Sequence, residues 1–209
     1  MAFIHTIPPQ QATGEVLQMY ERQQAHFGYL PNYATVFCYR PDIMASWAAL
    51  LGTIRRHVDP RRFELVTLAA ARALENTYCS LAHGKALAAL LGAEEVQAIA
   101  NGTEPGTLSA AERVMITFAG KVARDASTVT AGDVAQLRAH GFADDEIFDI
   151  VAVASARAFF TKVLDGLGAE ADAAYLEMDE PLRRALTVGR PMTAPAEERE
   201  HRPTVQDDA

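Results

Sequence analysis

The chain has 209 residues, 49% of them hydrophobic, and 27 Asp and Glu against 19 Lys and Arg give a net charge of -8. This is enough apolar material for a packed core, which excludes a disordered chain, and an acidic balance without a basic cluster argues against a nucleic-acid partner. The N-terminus has no basic segment leading into an apolar run, and no stretch reaches the ~20 apolar residues of a membrane span, so a soluble cytoplasmic protein with no membrane partner is expected.

Ala and Leu dominate, β-branched runs are short, and apolar residues recur every three or four positions, which predicts helix nearly throughout. A first helix fits Gly14 to Phe27, with Val16, Leu17, Tyr20 and Phe27 on its apolar face, before the Gly-Tyr-Leu-Pro turn at 28–31. Asn32 opens a short helix to Arg40, and Pro41 starts another that carries Met44, Trp47, Leu50 and Ile54. Asp59-Pro60 stops that helix and caps the next, whose FELVTLAAARAL run is apolar on most sides and belongs at the centre of the core. After Glu75-Asn76 comes a segment with Cys79, His83, Leu87 and Leu91, closed by Gly92 in a left-handed cap. A short helix from Ala93 to Asn101 and a turn-rich NGTEPGTLS connection follow.

Ser109 with Glu112 and Thr130 with Asp133 have capping-box spacing and mark two further helix starts. The run FADDEIFDIVAVASARAFFTKVLDGLG reads as a long buried helix. Residues 1–187 are therefore expected as one all-helical domain. Residues 188–209, rich in Pro, Glu, Arg and Asp, are expected as a poorly ordered tail. Glu64-Leu65-Val66 lies 28 residues before Gly92 and Glu112-Arg113-Val114 lies 29 before Gly141, an echo that either two similar helical halves or chance between amphipathic helices explains.

Two cysteines, Cys38 and Cys79, are too few for a disulfide-stapled secreted scaffold, so a reducing compartment and free-thiol chemistry are the better expectation. Cys79 and His83 are four residues apart, which places a thiol and an imidazole on one face of a helix. The helix N-terminus and a positive charge on His83 would lower the thiol pKa from its ordinary ~8.5. A hairpin turning near Asn76 would return the Glu64 carboxylate to the same place, where a buried Glu can take and give back protons.

Glu64, eleven residues, Asn76, two residues, Cys79, three residues and His83 resemble the Glu, Cys-x-x-Cys, His signature of the AhpD-like, carboxymuconolactone decarboxylase superfamily. The likeness extends to PNYATVFCYRPDIM upstream and to LSAAERVMITFAGKV and LRAHGFADDEIFDIV downstream, in the peroxidase-related branch. The resemblance implies an all-α fold that forms a homo-oligomer. It also implies a thiol site in which Glu64 accepts protons and His83 relays them. Asn76 stands where the family has its first cysteine, so the adjacent disulfide cannot form, and Asn76 at most donates a hydrogen bond to a thiolate or substrate.

A lone Cys79 leaves three chemical routes. A peroxide oxidises it to a sulfenic acid that an external thiol or dithiol resolves. Cys38 serves as the resolving partner, which needs Cα atoms within about 7 Å. Or the thiol is idle and Glu64 with His83 moves protons on a small organic acid or lactone. Against all three stand plainer readings: Cys79 and Cys38 as packed core thiols, Glu64 as a surface partner of Arg61, Arg62 or Lys85, and the whole as a non-catalytic oligomer with a redox-sensing or binding role. The aromatic and Met positions, Met44, Trp47, Phe118, Phe159 and Phe160 among them, are explained by core packing or, for some, by a place in a subunit interface. Neither a metal nor a cofactor is expected, because a second close Cys/His pair, a phosphate loop and a dinucleotide fingerprint are all missing from the sequence. The leading expectation is a peroxidase-related oxidoreductase with Cys79 as the reactive thiol.

Overall fold

The computed structural model describes residues 2–103 and 106–192. Ten α-helices and no strand occur among them, so the protein is all-α. Among the described residues no helix is long and apolar enough to cross a membrane. The N-terminal helices are α1 (Gly14–Phe27), α2 (Asn32–Val36) and α3 (Pro41–Arg55). The middle of the chain forms α4 (Pro60–Ala73), α5 (Thr77–Leu91) and α6 (Ala93–Asn101). Then come α7 (Ala110–Asp125), α8 (Ala131–Ala139), α9 (Asp144–Leu167) and α10 (Glu180–Leu186).

Helix α4 is the hub, packed against α7, α5 and α9. It starts where Asp59 accepts the amides of Arg61 and Arg62 at 3.0 and 3.1 Å, with Pro60 in the first turn, and it buries every residue from Phe63 to Leu68. Helix α7 starts at the Ser109–Glu112 capping box, and the Glu112 carboxylate is also gripped by Arg61 at 2.6 Å, which ties the starts of α4 and α7 together. The Thr130–Asp133 box at α8 forms as expected.

The turn that matters most joins α4 to α5. The Glu75 amide reaches Arg72 O and the Asn76 amide reaches Ala71 O, both at 3.0 Å, which is a Schellman closure. Its left-handed residue is Glu75, at φ 56°, where glycine is usual. Asn76 then caps α5, its Oδ1 accepting the Cys79 amide at 2.7 Å. The two helices run antiparallel in tight register, Ala71 beside Asn76 and Glu64 beside His83.

Two expectations change. The Asn32 helix ends at Val36 and continues to Tyr39 only as turns. Gly92 has positive φ (92°) but extended ψ (153°), because it ends α5 and starts α6 in a single residue and cannot also complete a left-handed cap. The glycines of the internal echo share their φ, 92° and 91°; the helices that open the two stretches have 14 and 16 residues, and those that close them 15 and 9.

Of the segment from 188 onward, Val188 and Gly189 are docked: Val188 N–H donates to Thr77 Oγ1 at 3.1 Å, and Gly189 bridges to Asn76. A side chain at 189 would collide with the Glu75 carbonyl. Residues 193–209, and residues 104–105 of the turn-rich connection, lie outside the described residues.

Candidate functional site

Glu64 is buried on α4, 6% exposed. Its Oε2 lies 2.7 Å from His83 Nδ1, and its Oε1 lies 3.9 Å from the exposed Arg55 guanidinium. Arg61 and Arg62 are not its partners; they pair with Glu112 and Glu146. The hairpin therefore closes the acid on the imidazole. The His83 side chain retains 16% exposure. Burial lowers its pKa and Arg157 lowers it further, against the opposing pull of Glu64, which favours the neutral imidazole.

Cys79 lies one turn before His83 on α5 and meets two residues of α9. It is 2% exposed, its sulfur accepts a hydrogen bond from Thr161 Oγ1 at 3.5 Å, and Arg157 Nη1 lies 3.9 Å away. The expected lowering of the thiol pKa is not what the structure gives: burial pushes the Cys79 thiol up, and Arg157 and Thr161 oppose this without reversing it. The neutral state of His83 removes the charge that was expected to help. Among the described residues no three of His, Cys, Asp and Glu come close enough to hold a metal ion.

Arg157, from α9, is the residue that sequence reading missed. It is 3% exposed, stands 5.3 Å from the Trp47 ring and 5.4 Å from the Phe160 ring, and acts electrostatically on both Cys79 and His83. Its Nε has no hydrogen-bond partner among the described residues. Trp47 stacks on Phe160 and donates its indole N–H to Ala156 O at 3.0 Å, so α3 and α9 together hold the lid of rings over the guanidinium. The available signal was an arginine four residues from a threonine within an otherwise apolar stretch of the long helix.

Asn76 also differs from expectation. It donates nothing to the sulfur; its oxygen caps α5, and its amide reaches Asp165. This is the ordinary N-cap use of Asn. Cys38 is a second buried free thiol, and its sulfur accepts the Ile7 amide at 3.4 Å. On the outer side of Trp47, Ile43, Leu50, Ile54 and Phe159 line an apolar groove of about 600 Å³ between α3 and α9.

Residues 41–105 match the carboxymuconolactone decarboxylase family, a segment that holds Glu64, Asn76, Cys79 and His83. The solved structures similar to the chain include an uncharacterised peroxidase-related protein with an alkylhydroperoxidase AhpD core from Ralstonia eutropha JMP134. Its TM-score is 0.73 at 21% identity, over 85% of this chain and 95% of that one. A peroxidase-related protein from Silicibacter sp. TM1040 aligns with a TM-score of 0.67 at 22% identity, covering 84% and 91%. The debrominase Bmp8 aligns with a TM-score of 0.70 at 14% identity, covering 88% and 97%. No curated protein matches the chain by sequence. The segment 41–105 is thus similar to the carboxymuconolactone decarboxylase family, and most of the chain shares the fold of the AhpD-like structures.

Proposed function

We propose that the protein is a single-thiol oxidoreductase that reduces a hydroperoxide, with Cys79 as the redox-active sulfur and Glu64 and His83 as its proton carriers. The observation that carries this reading is the Cys79 sulfur held between two donors, Arg157 Nη1 and Thr161 Oγ1, one helical turn from a hydrogen-bonded Glu–His pair. A structural thiol needs no such neighbours.

Neutral His83, its Nδ1 hydrogen fixed toward Glu64, presents Nε2 as the base that takes the thiol proton. The sulfur attacks one peroxide oxygen, the O–O bond breaks, and the leaving alkoxide takes the proton back as an alcohol. Cys79 is left as a sulfenic acid. One external thiol displaces water from it to form a mixed disulfide, and a second releases Cys79 and leaves as the external disulfide. The sum is hydroperoxide and two thiols to alcohol, water and one disulfide.

A proton-transfer reading on a small organic acid or lactone has support of its own, since the 2.7 Å Glu64–His83 contact is complete without the sulfur. Two variants separate the readings. Organic hydroperoxide consumption with a thiol reductant should fall at least about 100-fold in Cys79→Ser and about 100-fold in Glu64→Gln, the low end of the range for loss of a positioned acid or base. Turnover by Cys79→Ser equal to the native rate would reject the thiol mechanism. A Bmp8 variant with cysteine replaced by alanine has been solved with 2,3,4-tribromopyrrole, so a cysteine of that relative is close to mechanistic interest and halogenated aromatics belong in the same substrate panel.

A further inference from the structure

The resting site is incomplete in charge. Arg157 is 3% exposed, yet no carboxylate among the described residues pairs with it: Glu64 is engaged by His83 and Arg55, and Asp172 by Tyr29, Tyr78 and the Asn32 amide. Charges this deeply buried are ordinarily paired. What Arg157 meets is two ring faces and the sulfur of a thiol, a weak acceptor, while its Nε meets nothing. The other charged group acting on the sulfur is Asp165, one turn beyond Thr161 on α9, hydrogen-bonded by Asn76.

We propose that Arg157 and Thr161 form a receptor for Cys79 in its one-oxygen, anionic state, so that the sulfenate and not the thiol is the form of this residue that the pocket is built to hold. This rests on the single-thiol reading above. The thiol attacks a hydroperoxide, the sulfur loses two electrons, and the O–O bond gains them to give the alcohol and Cys79–SOH. The sulfenic acid then releases its proton by way of His83, and the oxygen keeps the negative charge.

The separations suit this. Distances of 3.9 Å from Nη1 and 3.5 Å from Oγ1 are loose for contact with bare sulfur. They leave space for a sulfur-bound oxygen to accept charge-assisted hydrogen bonds of about 2.8 Å from both donors. The oxyanion supplies the counter-charge that Arg157 lacks. The burial of Cys79, 2% exposed, then hinders a second oxidant from reaching the sulfur. Thr161 donates and Arg157 neutralises, and neither needs to touch the peroxide, so both are positioning residues.

The test oxidises the native protein, Arg157→Lys, Arg157→Met and Thr161→Val with one equivalent of cumene hydroperoxide without reductant, and follows intact mass. The rate at which cysteamine then restores the reduced mass is measured across pH. In the native protein a species one oxygen heavier should persist, and its reduction should slow above the pH at which the sulfenic acid ionises. Arg157→Lys should keep that break, Thr161→Val should move it up slightly, and Arg157→Met should raise it by about one pH unit and shorten the half-life of the one-oxygen species about tenfold. Should Arg157→Met fail to fold by circular dichroism, a native-like break in Arg157→Lys together with an upward shift in Thr161→Val decides in favour. A native protein that turns over peroxide through Cys79 but has the same break and half-life as the folded Arg157→Met, or as Thr161→Val where that variant decides, overturns the receptor and leaves the single-thiol reading intact. Absence of any oxidation at Cys79 removes both.

Discussion

Asp172 and Arg157 are both buried charges, 4% and 3% exposed, and they are treated in opposite ways. Asp172 accepts from Tyr78 at 2.5 Å, from the Asn32 amide at 2.7 Å and from Tyr29 at 3.2 Å, so it pins the start of α2, the second residue of α5 and the loop after α9 to one another. Arg157 touches rings and a sulfur and leaves Nε without a partner. A carboxylate wrapped in donors serves the architecture. A guanidinium with no paired carboxylate among the described residues, next to the reactive atom of the proposed mechanism, is a feature that stability alone does not select.

The comparison breaks first at Asp172. Asp172→Ala leaves the Asn32 amide and the Tyr78 hydroxyl without their acceptor and should lower unfolding free energy by about 3 kcal/mol, read by urea denaturation. A loss under about 1 kcal/mol would remove its structural role. Tyr29, whose pKa burial and Asp172 push up to about 12, should titrate closer to its ordinary 10 in this variant, followed by ultraviolet absorbance.

The acid side sharpens the contrast. Because the folded pKa of His83 lies below that of the unfolded chain, the unfolded state takes up the extra proton as pH falls below about 6.5. Stability is thus retained above that pH and lost below it, at up to about 1.4 kcal/mol per unit. His83→Gln should flatten that slope between pH 6.5 and 5, measured from denaturation midpoints. An unchanged slope would assign it to other groups.

The smallest effect is expected where the charge is least satisfied. Arg157→Met loses two ring contacts but also the desolvation of an unpaired cation, so its thermal stability should fall within about 1 kcal/mol of the native value. A loss above about 3 kcal/mol would show that Arg157 is held as firmly as Asp172, and the contrast between them would fail.

Much of the helical layout was legible because its signals are local. Asp59-Pro60, the Ser109–Glu112 and Thr130–Asp133 boxes and the Gly28 turn each act over a few residues, and α1 and α6 end where periodicity and caps place them. The pairing of Glu64 with His83 was legible only as spacing, since closure depends on the turn at Glu75, a left-handed residue with no glycine to announce it. Arg157 is 78 residues from Cys79, and no local pattern encodes their meeting. Asn76 was misjudged because its alignment with a family cysteine drew attention to sulfur chemistry, when Asn at a helix start is ordinarily a cap. The state of the thiol was missed for a related reason: helix position is written in the sequence, whereas burial and the approach of α9 are properties of the assembled fold.

The contact of Gly189 with Asn76 ties the fate of two distant positions. Because Gly189 lies against the Glu75 carbonyl with no room for a methyl group, the departing polypeptide works as a clasp on the bend that aims Cys79. Fusion partners or trimmed versions of the protein should accordingly keep everything through this glycine. Cutting a few residues earlier would release the clasp, and damage seeming to come from the terminus would be felt at the sulfur.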